Sequence, residues 1–260
     1  MIRLIRAETS RLLARRITWG FPTAIAVLIA IGVVIAYIFT SNGDISLVND
    51  FDGQGRSEIV GLLFPIMTFV LGASFIGADL KSGMLEHLLT WEPHRSRLLL
   101  ARLIGGAIVV AGVVAVLYVL LTGALSGLAV LRDGAEGVDQ DWWLDVLSGT
   151  GRACLVGVAL FAMGVALATI MNSSVGAIVS FVIYSVVVEG VLVFLPEVWR
   201  WLPLVNAGSF GGASDVPMEP LEFFAEEAHH AYGWSGLIMA AYAIALVIPA
   251  MVVFTRRDIS

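Results

Sequence analysis

Charge is scarce in this chain: Asp, Glu, Lys and Arg make up 14% of its 260 residues, against roughly a quarter in soluble domains. So few charged groups cannot cover a water-facing globular surface, and an integral membrane protein is the class that remains. There is a single cysteine, Cys154, inside an apolar run, so no intrachain disulfide can staple the loops. The chain has no G-x-x-x-x-G-K-[ST] stretch, and the glycine-rich Gly208-Ser-Phe-Gly-Gly, read as lying outside the membrane, lacks the lysine. The chain is therefore not expected to hydrolyse ATP by P-loop chemistry. No solenoid-type repeat is visible, and nothing marks a nucleic-acid surface.

What is present is hydrophobicity. The chain is 58% hydrophobic with 27 glycines, and its mean hydropathy is +0.91. A helix needs about 20 mostly apolar residues to cross about 30 Å of hydrocarbon, and six runs qualify: Pro22 to Thr40, Gly61 to Ala78, Leu103 to Val130, Ala153 to Met171, Val175 to Leu195 and Ser235 to Phe254. The runs are continuous rather than alternating, so helices are expected, with every backbone group satisfied inside its own segment. The expected fold is an all-α membrane protein: an N-terminal interfacial amphipathic helix (1–19) and a six-helix transmembrane domain (20–260).

The arginine-rich start is not read as a secretory signal, because its apolar run is too long and AYIFTSNG offers no small-x-small cleavage site. Within Met1 to Trp19, Ile2, Ile5, Leu12 and Leu13 share a face, with Arg3, Ser10, Arg11 and Arg15 elsewhere. That pattern suits a helix lying at the membrane surface, as a collar for a cytosolic subunit or a polybasic anchor to anionic lipid. Placing both termini inside puts eleven Lys and Arg residues on the cytoplasmic side and four outside, as the positive-inside rule requires. Carboxylates fill the outer loops, so the formal net charge of −6 is read as a property of the outer surface. The expected location is the cell membrane.

One polar segment, from Gly77 to Arg102, is more than an anchor. Asp79 and Lys81 mark the exit from the second run, and Gly83 permits a break. Met84, Leu85, Leu88 and Leu89 then form an apolar helical face opposite Glu86, His87 and Glu92. Pro93 stops that helix, and Arg95, Arg97 and Arg102 are expected to hold the return at the headgroups. Leucines on a short helix in water need a cover, and a docking groove on another protein supplies one.

The succession of an acidic residue, Gly83-Met84-Leu85-Glu86, Leu88-Leu89, Pro93, Ser96-Arg97 and Arg102 resembles the permease subunits of type-2 ATP-binding-cassette exporters. Met84 stands where that family usually has threonine. Phe254-Thr255-Arg256-Arg257-Asp258-Ile259 and Leu195-Pro196 also resemble it. The resemblance implies a half-transporter working with a second permease subunit, identical or related, and two separate ATPase subunits that bind ATP and magnesium. The hairpin at about 79–102 would be the coupling element, with Glu86 and Arg97 making or supporting the contact. It implies an outer re-entrant or gate region at about 196–233, where Trp199 and Trp201 are candidate gate residues or members of an aromatic belt.

Inside the spans, Glu189 is the notable ionisable residue. A carboxylate there is costly; it lines an exit pathway, reaches the headgroups, or pairs with Arg152 or Arg200. Gly123 with Gly127, and Gly157 with Gly164, offer small faces for close helix packing. The sparse charge of the spans suits an apolar or amphipathic cargo, such as a lipophilic drug, a lipid or a peptide. A secondary transporter or channel without an ATPase stays open as the alternative. An intramembrane protease is disfavoured, because the four histidines all precede Ser235 of Gly233-Trp-Ser-Gly236. Glu226-Glu227-Ala-His229-His230 is read as a solvated loop, with no metal site expected.

Overall fold

The computed structural model describes residues 1–39, 59–81, 94–132, 140–192, 194–195, 197–212 and 232–256, and all regular structure among them is helical. Helix α1 (Ile2–Leu13) ends at a short break, and α2 begins at Arg16 (Arg16–Phe39). A π-helical turn (Ile59–Leu63) leads into α3 (Phe64–Lys81), followed by the long α4 (Arg95–Arg132) and α5 (Gln140–Met171). Helix α6 (Ser174–Ile183) runs on through a π-helical turn (Tyr184–Glu189) and Gly190–Leu192. A 3-10 turn (Trp199–Trp201) then precedes α7 (Pro203–Gly212), and α8 is Tyr232–Arg256.

Six of these segments are long and apolar enough to cross a membrane, so the chain is a multi-pass membrane protein. The six expected runs coincide with them, but α4 and α5 reach well beyond the apolar stretches. Continuous apolar sequence forms helix because the backbone has no other partner in lipid; the polar ends simply continue the hydrogen-bond ladder. The N-terminal helix stops at Leu13, well short of Trp19.

Helix α3 is buried along most of its length and packs chiefly on α5. Glycine makes this approach possible. A Cβ on Gly72 would overlap the Phe161 carbonyl, and one on Gly164 would overlap the Phe69 carbonyl. The two backbones thus touch on both sides of the crossing, as small-residue interfaces in membranes do. Phe69 stacks on Phe181 at 4.0 Å between centroids, tying α6 to the same core. By contrast, Gly123 and Gly127 have open space where a Cβ would stand, so among the described residues the expected GxxxG face contacts no other helix.

The α5–α6 corner needs a residue that tolerates a left-handed backbone. Asn172 supplies it with φ 54°, a region Asn enters more readily than most residues. Ser173 then caps α6, its hydroxyl accepting from the Gly176 N–H at 3.0 Å.

Filling the crossing should be costly. Gly72→Leu or Gly164→Leu is expected to lose about 1–3 kcal/mol by overpacking, read as a lower thermal midpoint in detergent. Gly123→Leu should leave that midpoint within error or raise it.

Candidate functional site

Five charged side chains meet where α1, the end of α3 and the first part of α4 come together. Asp79, on the last turns of α3, is 2% exposed. Its Oδ1 accepts from Arg15 Nη2 at 2.7 Å, and its Oδ2 accepts from Arg102 Nη2 at 2.7 Å and Arg11 Nη2 at 3.1 Å. Arg11 Nη1 also donates to Glu8 Oε1 at 3.1 Å, and Arg102 Nε lies 3.6 Å from Glu8 Oε2. Two carboxylates thus face three guanidinium groups.

Burial on this scale is tolerated because the opposite charges are paired, although Arg102 Nε and Nη1 are buried without a hydrogen-bond partner. Arg15 Nη1 additionally donates to the Ser74 and Phe75 carbonyls at 3.2 and 3.0 Å. Arg15 and Arg102 also sit 5.1 and 5.8 Å from the Phe75 ring centroid, where the negative ring face favours cations. Arg102 has no exposed surface at all. The expected headgroup role for this residue is therefore corrected: it is a buried member of the cluster, placed by its position two turns inside α4.

Sequence places the cluster through helical periodicity. Ile5, Glu8 and Leu12 lie on one stripe of α1, and Arg11 and Arg15 flank it, so Glu8 faces inward beside Leu12. The expected apolar face is corrected accordingly: Ile2 is 83% exposed and Leu13 is exposed, while the inward face holds Glu8 and Leu12. Close approach of α1 to α4 depends on Gly105, where a Cβ would press on the Ile5 carbonyl and Thr9. The Thr9 hydroxyl donates to the carbonyls of Ile5 and Gly105 at 2.9 and 3.4 Å.

The other predicted residues are distributed as follows. Lys81 closes α3, and Arg95 and Arg97 open α4, with Arg97 exposed. Gly83, Leu85, Glu86, Leu88, Leu89 and Pro93 lie outside the described residues. Glu8 was missed on sequence; the available signal was a carboxylate on the buried stripe of an otherwise cationic helix.

Glu189 belongs to a second site. It ends the π-helical turn and is buried, and its Oε1 accepts from the backbone N–H groups of Leu204 and Val205 at 2.6 and 3.1 Å. Those are orphan donors of the first turn of α7, and Pro203 before them has no N–H to satisfy. The carboxylate also complements the positive end of the helix. Glu189 therefore pairs with neither Arg152 nor Arg200. The helix it caps is almost wholly buried against the turn at 59–63 and against α8. Gly208 to Gly212, expected outside, is part of this buried helix. A Cβ on Gly61 would meet the Gly208 Cα at 2.6 Å, so only glycine fits there.

The two tryptophans separate. Trp199 is 3% exposed and packs with Leu202 and Val205. Trp201 is 48% exposed, and its carbonyl accepts from the Tyr242 hydroxyl at 3.0 Å. Among the described residues no group of three or more His, Cys, Asp or Glu could hold a metal ion.

Residues 23–260 match the model of the family described as Protein of unknown function (DUF2705). The chain belongs to that family. No curated protein matches it. The match begins within α2, so the three α1-side members of the cluster in this DUF2705 chain (Glu8, Arg11 and Arg15) precede it, and Asp79 and Arg102 lie inside it.

Removing Asp79 would leave three buried or half-buried cations facing one carboxylate. Asp79→Ala is expected to cost about 3 kcal/mol, the scale for breaking a buried pair, measured by thermal unfolding of the purified DUF2705 chain. At the second site, Glu189→Ala should cost about 1–2 kcal/mol as a lost helix cap. Glu189→Gln, which keeps an acceptor oxygen, should cost less than half of that in the same assay.

Proposed function

We propose that this chain is the membrane-spanning permease subunit of an ATP-driven exporter of the type-2 ATP-binding-cassette class. One observation carries the reading. Asp79 and Arg102, the residues that bound the motif-bearing segment, are joined to each other by a buried ion pair at 2.7 Å. The chain thus leaves α3 and enters α4 beside one buried contact that joins the two helices. A displacement imposed on the intervening segment by a docked partner acts directly on two spans and, through Arg11 and Arg15, on α1. This is the mechanical arrangement that a coupling element requires.

In this reading, two ATPase subunits bind ATP and magnesium and dock on the cytoplasmic hairpin, and a second permease subunit completes the pathway. Both termini lie in the cytoplasm and the complex sits in the cell membrane. ATP closure drives the change only if the hairpin is bound differently in the two states, and a base fixed by ion pairs keeps that difference from dissipating in slack. The spans expose broad apolar faces on α2, α6 and α8, which suits a lipophilic or amphipathic cargo. The buried α7, fastened by Glu189, supports the outer gate role, with Trp201 at its exposed edge and Trp199 as its packing anchor.

The test is co-expression with any ATP-binding-cassette ATPase whose gene lies beside its own, followed by ATP hydrolysis in nanodiscs. A stable complex is expected, with Glu86→Ala and Arg97→Ala lowering coupled hydrolysis several-fold or dissociating it. Failure of any ATPase to associate, with hydrolysis indifferent to both substitutions, would overturn the reading in favour of a secondary transporter.

A further inference from the structure

Between α1, α2 and α4 lies an open groove of about 440 Å³ whose walls are almost entirely apolar. Its polar side chains ask for nothing. Thr9 is bonded to the Ile5 and Gly105 carbonyls, Thr23 to the Trp19 and Gly20 carbonyls, and the Trp19 indole N–H to the Leu13 carbonyl. Along α4 the lining runs from Ile108 to Leu120. Twelve steps of 1.5 Å make about 18 Å, close to the depth of one leaflet of a bilayer whose hydrocarbon is about 30 Å thick. The floor is open where Gly112 stands, since a Cβ there would meet nothing within 4 Å.

The charge around the groove is placed just as specifically. On α1 the lining residues Thr9 and Leu13 continue a stripe that begins at Arg6. On α2 the lining residues Trp19, Thr23 and Ala26 continue a stripe that begins at Arg16. Both arginines are exposed, and among the described residues neither guanidinium has a hydrogen-bond or ion-pair partner, in contrast to Arg11 and Arg15 in the cluster. Two uncompensated cations therefore stand at the head of an apolar trough one leaflet deep.

We infer that this groove binds one anionic phospholipid, an acyl chain lying along α4 beside Gly112 and the phosphate held by Arg6 and Arg16. Apolar walls select a chain, and the cations select the headgroup charge. The two parts come from different elements, so occupation ties the α1–α2 corner to α4. The inference stands independently of the exporter reading.

The test uses the full chain, delipidated in neutral detergent. It is labelled with phosphatidylglycerol or phosphatidylcholine carrying a diazirine on the acyl chain, with labelled peptides mapped by mass. Labelling of α2 and α4 is expected, stronger for phosphatidylglycerol. Gly112→Phe, which fills the floor, should lower it about tenfold or more, equivalent to about 1.4 kcal/mol. Val116→Phe, at another lining position, serves the same purpose if the first variant does not fold. Arg6→Gln with Arg16→Gln should remove the preference for phosphatidylglycerol, and Val119→Phe, exposed but outside the groove, should change nothing. Equal labelling by both lipids, insensitivity to both filling substitutions, or Gly112→Cys cross-linking between copies in lipid, which would mean a second chain occupies the groove, overturns the proposal.

Discussion

Everything at one end of this molecule depends on a carboxylate that three arginines share. Asp79 sits buried where α3 ends, and the groups that pair with it come from α1, the break that follows it, and α4. Because neither charge can leave without stranding the other, the three helices are held in one arrangement, and alternatives that separate them are penalised heavily. Hydrophobic packing could join the same helices, but it would not set their register. Apolar surfaces in lipid slide with little cost, whereas a carboxylate with three directed donors does not.

The opposite extreme of interaction holds the middle of the bundle. There α3 and α5 meet through glycine, backbone against backbone, and the strength comes from many small contacts rather than a few directed ones. The two modes are complementary. Close packing makes α3 a rigid member, so that what happens at Asp79 is felt along its length, and the aromatic pair of Phe69 and Phe181 extends the same rigidity to α6.

The six membrane-crossing helices were legible in the sequence because in lipid hydrophobicity alone decides where a helix runs. The ends were not, since α4 and α5 continue into polar sequence that carries no hydropathy signal. The ion cluster was half legible. Asp79 and Arg102 stood out as charges beside apolar runs, yet their meeting across 23 residues depends on how two helices pack, and periodicity within one helix is silent on that. Glu8 was overlooked because a lone acid in an arginine-rich helix reads as local charge balance until the helix has a partner. Glu189 was recognised as costly, but its actual partners are backbone N–H groups, which no side-chain pairing argument would find. The segment from Gly83 to Pro93 rests on sequence alone.

The π-helical turn that ends at Glu189 has a consequence for length. Such a turn holds about one residue more than the α-helix it interrupts, so the direction in which Glu189 points is set by how many residues precede it as much as by what it is. Winding the same residues as α-helix would turn the carboxylate by about 100°, away from the first turn of α7, whereas deleting one residue between Tyr184 and Val188 would let α-helical winding hold it in place. The seating of that helix is thus a matter of counting: the extra residue and the wider winding offset one another, and either without the other would leave the same glutamate with nothing to cap.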